Sequence, residues 1–72
     1  MITEVISTLQ STVAARKLLD ELAVTGGYIP VGSNELSVIY EKVDGDKIVR
    51  LMITKERIRK YSVVKEIRDS SE

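Results

Sequence analysis

The chain contains no cysteine and no histidine. The first absence excludes disulfides and thiolate nucleophiles. The second removes the commonest transition-metal ligand and the side chain most often used as a general base. Tryptophan and phenylalanine are also missing, leaving Tyr28, Tyr40 and Tyr61 as the only aromatics. Three tyrosines, with Tyr40 expected in the core, are too few for the platform on which single-strand binders stack bases. Charges interrupt every apolar run well short of the ~18 residues that a membrane-spanning helix needs. Neither sign of charge dominates, with 11 Lys and Arg against 11 Asp and Glu.

What is present is the composition of a folded domain, 43% hydrophobic and 31% charged, rather than of a disordered chain. Seventy-two residues make one domain over 1–72, with Asp69-Ser70-Ser71-Glu72 expected to fray. A domain this small buries only about 60% of the surface its unfolded chain exposes. With disulfides and the usual metal ligands excluded, self-association remains as support, so a homo-oligomer is expected. Glu4 comes early and no basic stretch precedes an apolar one, which does not fit a signal peptide. A cytoplasmic location without membrane association is the expectation.

Charge is spread unevenly along the chain. Residues 1–41 hold two cations against five carboxylates, a net of −3; residues 42–60 hold seven against three, a net of +4; residues 61–72 come to −1. The middle segment is therefore the part suited to phosphate or to an acidic partner.

The periodicity predicts an α+β fold with an N-terminal helical region, an antiparallel hairpin with a short edge strand, and a C-terminal helix. Over residues 2–24, Ile2, Ile6, Leu9 and Val13 share one helical stripe, and Ala15, Leu18, Leu19 and Leu22 share another. Two stripes mean either two short helices, broken at Gln10-Ser11-Thr12 with Ser11 or Thr12 as cap, or one long helix between two apolar partners. Gly26-Gly27 ends the region. Tyr28-Ile29-Pro30-Val31 reads as an edge strand because Pro30 has no N–H.

Asp44-Gly45 lies between two alternating runs and predicts a hairpin over 36–53 with a type I′ turn. That register pairs Val43 with Asp46, Lys42 with Lys47, Tyr40 with Val49, Val38 with Leu51 and Leu36 with Ile53. It directs one mostly apolar face to the core and leaves Ile39, Ile48 and Met52 on the other. Thr54 can cap a helix running to about residue 68, although Tyr61, Val63 and Ile67 also suit a strand.

No catalytic constellation emerges. Ser7, Ser11, Ser33, Ser37 and Ser62 stand outside any nucleophile motif and read as caps, loops and strand positions. Asp44 and Asp46 are accounted for by the turn, and the further oxygen ligands of a calcium loop are missing. Gly26, Gly27 and Gly32 follow a helix instead of opening one, the wrong order for a phosphate-cradling loop. No enzyme activity, metal or cofactor is expected.

Residues Ser11 to Leu22, followed by Gly26-Gly27-Tyr28-Ile29, resemble the recognition helix and first strand of winged helix-turn-helix domains. Leu18, Leu22 and Gly26 keep the family's spacing. Asp46 to Glu56 is similar to the returning wing strand of MarR-type regulators. The family carries two helices ahead of the recognition helix, whereas ten residues precede Ser11 here. The resemblance implies a small DNA-binding transcription regulator with duplex DNA as partner. Gln10, Ser11, Thr12, Arg16 and Lys17 would face the major groove, Lys42, Lys47 and Arg50 would contact backbone from the hairpin, and Arg57, Arg59 and Lys60 would add long-range attraction. The helix, hairpin, helix order is also similar to small phage head-completion proteins, which implies instead a protein-interaction or assembly module. For that reading Ile39, Ile48 and Met52 on the outer hairpin face, together with the second apolar stripe of the N-terminal region, form the partner surface. The small size fits a phage or plasmid protein.

Overall fold

A computed structural model describes residues 1–71. The order is β1 (Ile2–Leu9), α1 (Thr12–Gly26), β2 (Ile29–Ser33), β3 (Val38–Asp44), β4 (Lys47–Arg57) and β5 (Lys60–Asp69). The strands form one antiparallel sheet in the order β1-β5-β4-β3-β2, and α1 packs on one side of it. This overturns the winged-helix-like layout. One helix is present where two or three were expected, and both terminal segments are strands.

The N-terminal segment shows why helical spacing misled. Five of the eight residues of β1 are β-branched, which suits a pleated surface better than a helix. Ile2 pairs with Ile67 and Leu9 with Tyr61, but the register shifts between Val5 and Ser7. One extra residue at a β-bulge reverses the alternation beyond it. Ile2, Ile6 and Leu9, spaced as on a helix, therefore all turn toward α1. Beyond them the chain changes direction at Gln10-Ser11. Ser11 has extended backbone, and its Oγ accepts from Ala14 N at 3.1 Å, one of the donors that a helix start leaves without a partner. The break foreseen at this point separates a strand from a helix, not two helices.

Gly27 closes α1 at φ 73°. Its N–H donates to Val24 O at 3.4 Å, and Tyr28 N donates to Ala23 O at 2.9 Å. These bonds occupy carbonyls at the helix end in the Schellman pattern. β2 then runs along the sheet edge, the place in a sheet where a proline such as Pro30 is tolerated.

The hairpin register differs from expectation by two residues. Asp44 pairs with Lys47, Val43 with Ile48, Lys42 with Val49 and Tyr40 with Leu51. The loop residues are Gly45 and Asp46, and of these only Gly45 has positive φ (64°). Glycine at the first loop position is the type II′ requirement, whereas type I′ centred on Asp44-Gly45 needs positive φ at both. A shift of two leaves the faces unchanged, because side chains alternate with period two. Val49, Leu51 and Ile53 are buried beneath Ala15, Leu19 and Ala23 of α1, together with Val63 of β5.

The expected C-terminal helix is replaced by the end of β4 and all of β5. Thr54 caps nothing; it pairs with Ser62 in mid-sheet. Val63 and Val64 are adjacent and both buried: Val63 lies in the core under α1, and Val64 on the opposite face sits between Met52 of β4 and Val5 of β1. Of the residues expected to fray, Asp69 pairs with Lys47 and Ser70 N donates to Asp46 O at 2.9 Å; Glu72 lies outside the described residues.

Candidate nucleic-acid interface

The register assigns every loop to one of two ends. Leu9 pairs with Tyr61, Tyr61 with Lys55, and Lys60 with Arg57. The start of α1, the β4–β5 turn and the β2–β3 loop are thus neighbours at one end. Arg16 confirms the last of these by donating from Nε to Leu36 O. The β3–β4 turn, the end of α1 and the start of β1 occupy the other end.

Of the eleven residues singled out from sequence, eight gather at the first end: Gln10, Ser11, Thr12, Arg16, Lys17, Arg57, Arg59 and Lys60. The other three do not join them. Lys42 donates to Gly26 O at 3.0 Å and lies 4.6 Å from the centre of the Tyr28 ring. Lys47 is salt-bridged to Asp69 at the opposite end. Arg50 lies on the sheet face away from α1 and pairs with Glu41 at 2.6 Å. The expected winged arrangement, with the 36–53 hairpin beside the recognition helix, is not formed. The α1 surface bearing Ala15, Leu19 and Ala23 is packed on the sheet, and the hairpin beside the helix start is β4–β5.

Lys55 escapes the sequence reading, although Arg57, Arg59 and Lys60 of the same segment are singled out by it. It belongs to the run Lys55-Glu56-Arg57-Ile58-Arg59-Lys60, in which five of six residues are charged, and that density is the signal that could have found it. Here β4 and β5 turn through Ile58-Arg59. Ile58 is 81% exposed, and Arg59 has φ 59°, the only positive value among described non-glycine residues.

The two ends differ in charge and in how charge is used. The first end carries Arg16, Lys17, Lys55, Arg57, Arg59 and Lys60 against Glu35 and Glu56, a net of +4. The rest of the described chain holds five cations against eight carboxylates, a net of −3. Lys60 pairs with Glu56 at 3.4 Å. Hydrogen bonding from Ser62, reinforced by Lys60, holds the Glu56 carboxyl below its usual range. Lys17, Lys55, Arg57 and Arg59 make no salt bridge among the described residues. At the opposite end, Lys47 beside Asp69 lowers that carboxyl's pKa. Tyr28 is raised by burial and then by Asp44, and Tyr40, which donates to Asp20 at 2.9 Å, is raised by that bond.

Asp44 and Asp46 form no cation cage, since no three acidic side chains gather around a point among the described residues. An open cleft of about 300 Å³ lies between Arg16 and the 33–38 loop, but Asp20 and Glu35 share its wall. No described helix is long and apolar enough to cross a membrane.

The fold and site define a small antiparallel sheet covered by one helix on a single side, with a cationic hairpin tip at one end. No family model, curated protein or solved structure matches the chain.

Proposed function

We propose that this chain is a small non-enzymatic regulator that binds duplex DNA through its basic end. The observation carrying the proposal is the gathering of unpaired cations there. Lys17, Lys55, Arg57 and Arg59 cluster near the start of α1, while the cations elsewhere in the sequence-predicted set are engaged by carboxylates, a carbonyl or a ring. Phosphate contacts release counterions and supply most of the non-specific affinity for a duplex. The first turn of α1 holds no acidic residue, so its dipole adds to the positive potential.

A two-stranded ribbon is narrow enough to enter the major groove. The β4–β5 tip has that form, with Ile58 exposed between Arg57 and Arg59. Arginine pairs with guanine edges, and an aliphatic side chain suits the thymine methyl. Duplex is favoured over single strands because the aromatic side chains needed for stacking are scarce. A cytoplasmic location belongs to the same proposal, since duplex DNA is met there.

Fluorescence anisotropy with a labelled duplex, measured from low to high salt, tests the reading. Affinity should fall with salt on a log–log slope of about −0.9 per phosphate neutralised. The K55A/R57A/R59A variant should flatten that slope by about 3, roughly one unit for each phosphate left without its cation. K47A, at the far end, should leave it unchanged. Absence of binding at low salt would reject the proposal.

The sheet face away from α1 favours a second, compatible role as a protein-interaction module. Ile39, Ile48 and Met52 do lie on that face, with nothing packed over them in the monomer.

A further inference from the structure

With its helix on one side only, the sheet leaves its second face open. The registers arrange that face in rows crossing the strands. Met52, Val64 and Val5 form an apolar row over β4, β5 and β1, and Ile39 extends it onto β3. The neighbouring row is charged: Glu41 pairs across to Arg50, and Arg50 to Glu66. Next to it Val43 and Ile48 precede Arg68. On the other side of the apolar row come the hydroxyls of Thr54, Ser62 and Thr8.

We infer that this open face is the interface of a homodimer, in which two copies pack sheet against sheet with α1 outermost on each. Three observations select a second copy as the occupant. The first is charge. Over the central rows of the open face, from Thr54 to Arg68, Glu41 and Glu66 balance Arg50 and Arg68, and Arg57 and Lys60 lie beyond them at the basic end. Such a face meets its own copy without net repulsion, whereas a strongly acidic or basic partner would find no complement in it. In a two-fold contact the same patch serves both subunits, so the apolar row of each copy lies across that of the other.

The second is area. Five strands ~4.8 Å apart and about eight residues long give a projected face on the order of 500–600 Å². Side-chain relief raises the accessible area toward the ~800 Å² that each partner buries in a standard interface. The third is exposure. At the centre of the face Val64 and Ser62 are already buried among their neighbours, but Val5 and Val43 toward its margins are 59% and 73% exposed, and sheets in a sandwich bury such residues between layers ~10 Å apart.

The inference gives the interaction reading its partner and does not depend on DNA binding. Light scattering coupled to size exclusion, on the full chain between about 1 and 200 μM, tests it. The wild type should have the mass of a dimer. V5K/M52K should weaken association at least tenfold while keeping the far-UV circular dichroism of the fold. V43K, at a side chain already mostly exposed, should weaken association without endangering folding. V24K, an equally drastic change on the outer side of α1, where Val24 is 83% exposed, should leave the dimer intact. A monomeric wild type at 200 μM would overturn the homodimer while leaving the face open to another protein. A folded V5K/M52K variant that remains dimeric would overturn the use of this face altogether.

Discussion

Two residues with left-handed backbone do opposite work. Gly27, at φ 73°, occupies a position where a Cβ is unfavourable but nothing stands within 4 Å to clash with one. The cost of G27A is therefore conformational, and denaturant unfolding should show a loss of about 1 kcal/mol. Arg59, at φ 59°, holds a non-glycine side chain in the region that turns normally reserve for glycine or asparagine. Strain kept at one exposed position is a pointer to function. R59G should unfold at the wild-type denaturant concentration or slightly above it, yet bind duplex DNA more weakly. Equal loss of stability and binding would show that Arg59 serves the turn alone.

Asp69 and Glu56 supply a pH signature. Hydrogen bonding and charge from Lys47 lower the first; Ser62, then Lys60, lower the second. A carboxyl whose folded pKa is depressed stabilises fully above its unfolded pKa and ceases to do so as pH falls through its folded value. Stability should thus be level near neutrality and decline once pH drops below the ordinary carboxylate range. Both groups are exposed, so screening keeps each contribution small. D69N should shallow the acid limb of a urea-midpoint profile between pH 7 and 3; an unchanged limb would show that the Lys47 pair carries none of it.

Among the elements, β4 is the one on which the others depend. It pairs with β3 and β5 and directs Val49, Leu51 and Ile53 into α1. Leu51 is 2% exposed, and truncating a fully buried leucine typically costs 2–5 kcal/mol. L51A should lose about that much in equilibrium unfolding, enough to threaten a domain with so thin a core. The central hairpin was legible in its faces but not in its register. Alternation distinguishes odd from even positions, so it assigned Leu51 and Ile53 correctly. It does not distinguish a loop at Asp44-Gly45 from one at Gly45-Asp46, because that choice belongs to turn geometry. α1 was legible at both ends, since a hydroxyl at Ser11 and a glycine at Gly27 meet local backbone needs.

At the scale of the whole molecule, charge is segregated along the strands, with +4 at the β4–β5 end and −3 over the remaining described residues. No segment tally predicts this. The most basic stretch of sequence, 42–60, runs from one end of the sheet to the other. Of its first cations, Lys42 meets a carbonyl and a ring, Lys47 pairs with Asp69 and Arg50 with Glu41, whereas its last join Arg16 and Lys17 from a different region of the chain. Raising salt should therefore weaken duplex binding strongly and change homodimer affinity little, because the central rows of the open face carry balanced charge. Strong salt dependence of both would mean that the basic end takes part in self-association.

Local chemistry in the sequence determined the limits of α1, the presence of the central hairpin and the residues it buries. These features depend on neighbours a few positions apart. Tertiary pairing decided the rest. Residues 2–9 and 60–69 are strands because each finds the other across fifty intervening residues, and a bulge at Ile6 allows a helix-like spacing to serve a sheet. The basic end arises for the same reason, since only long-range strand order brings the start of α1 beside the β4–β5 turn.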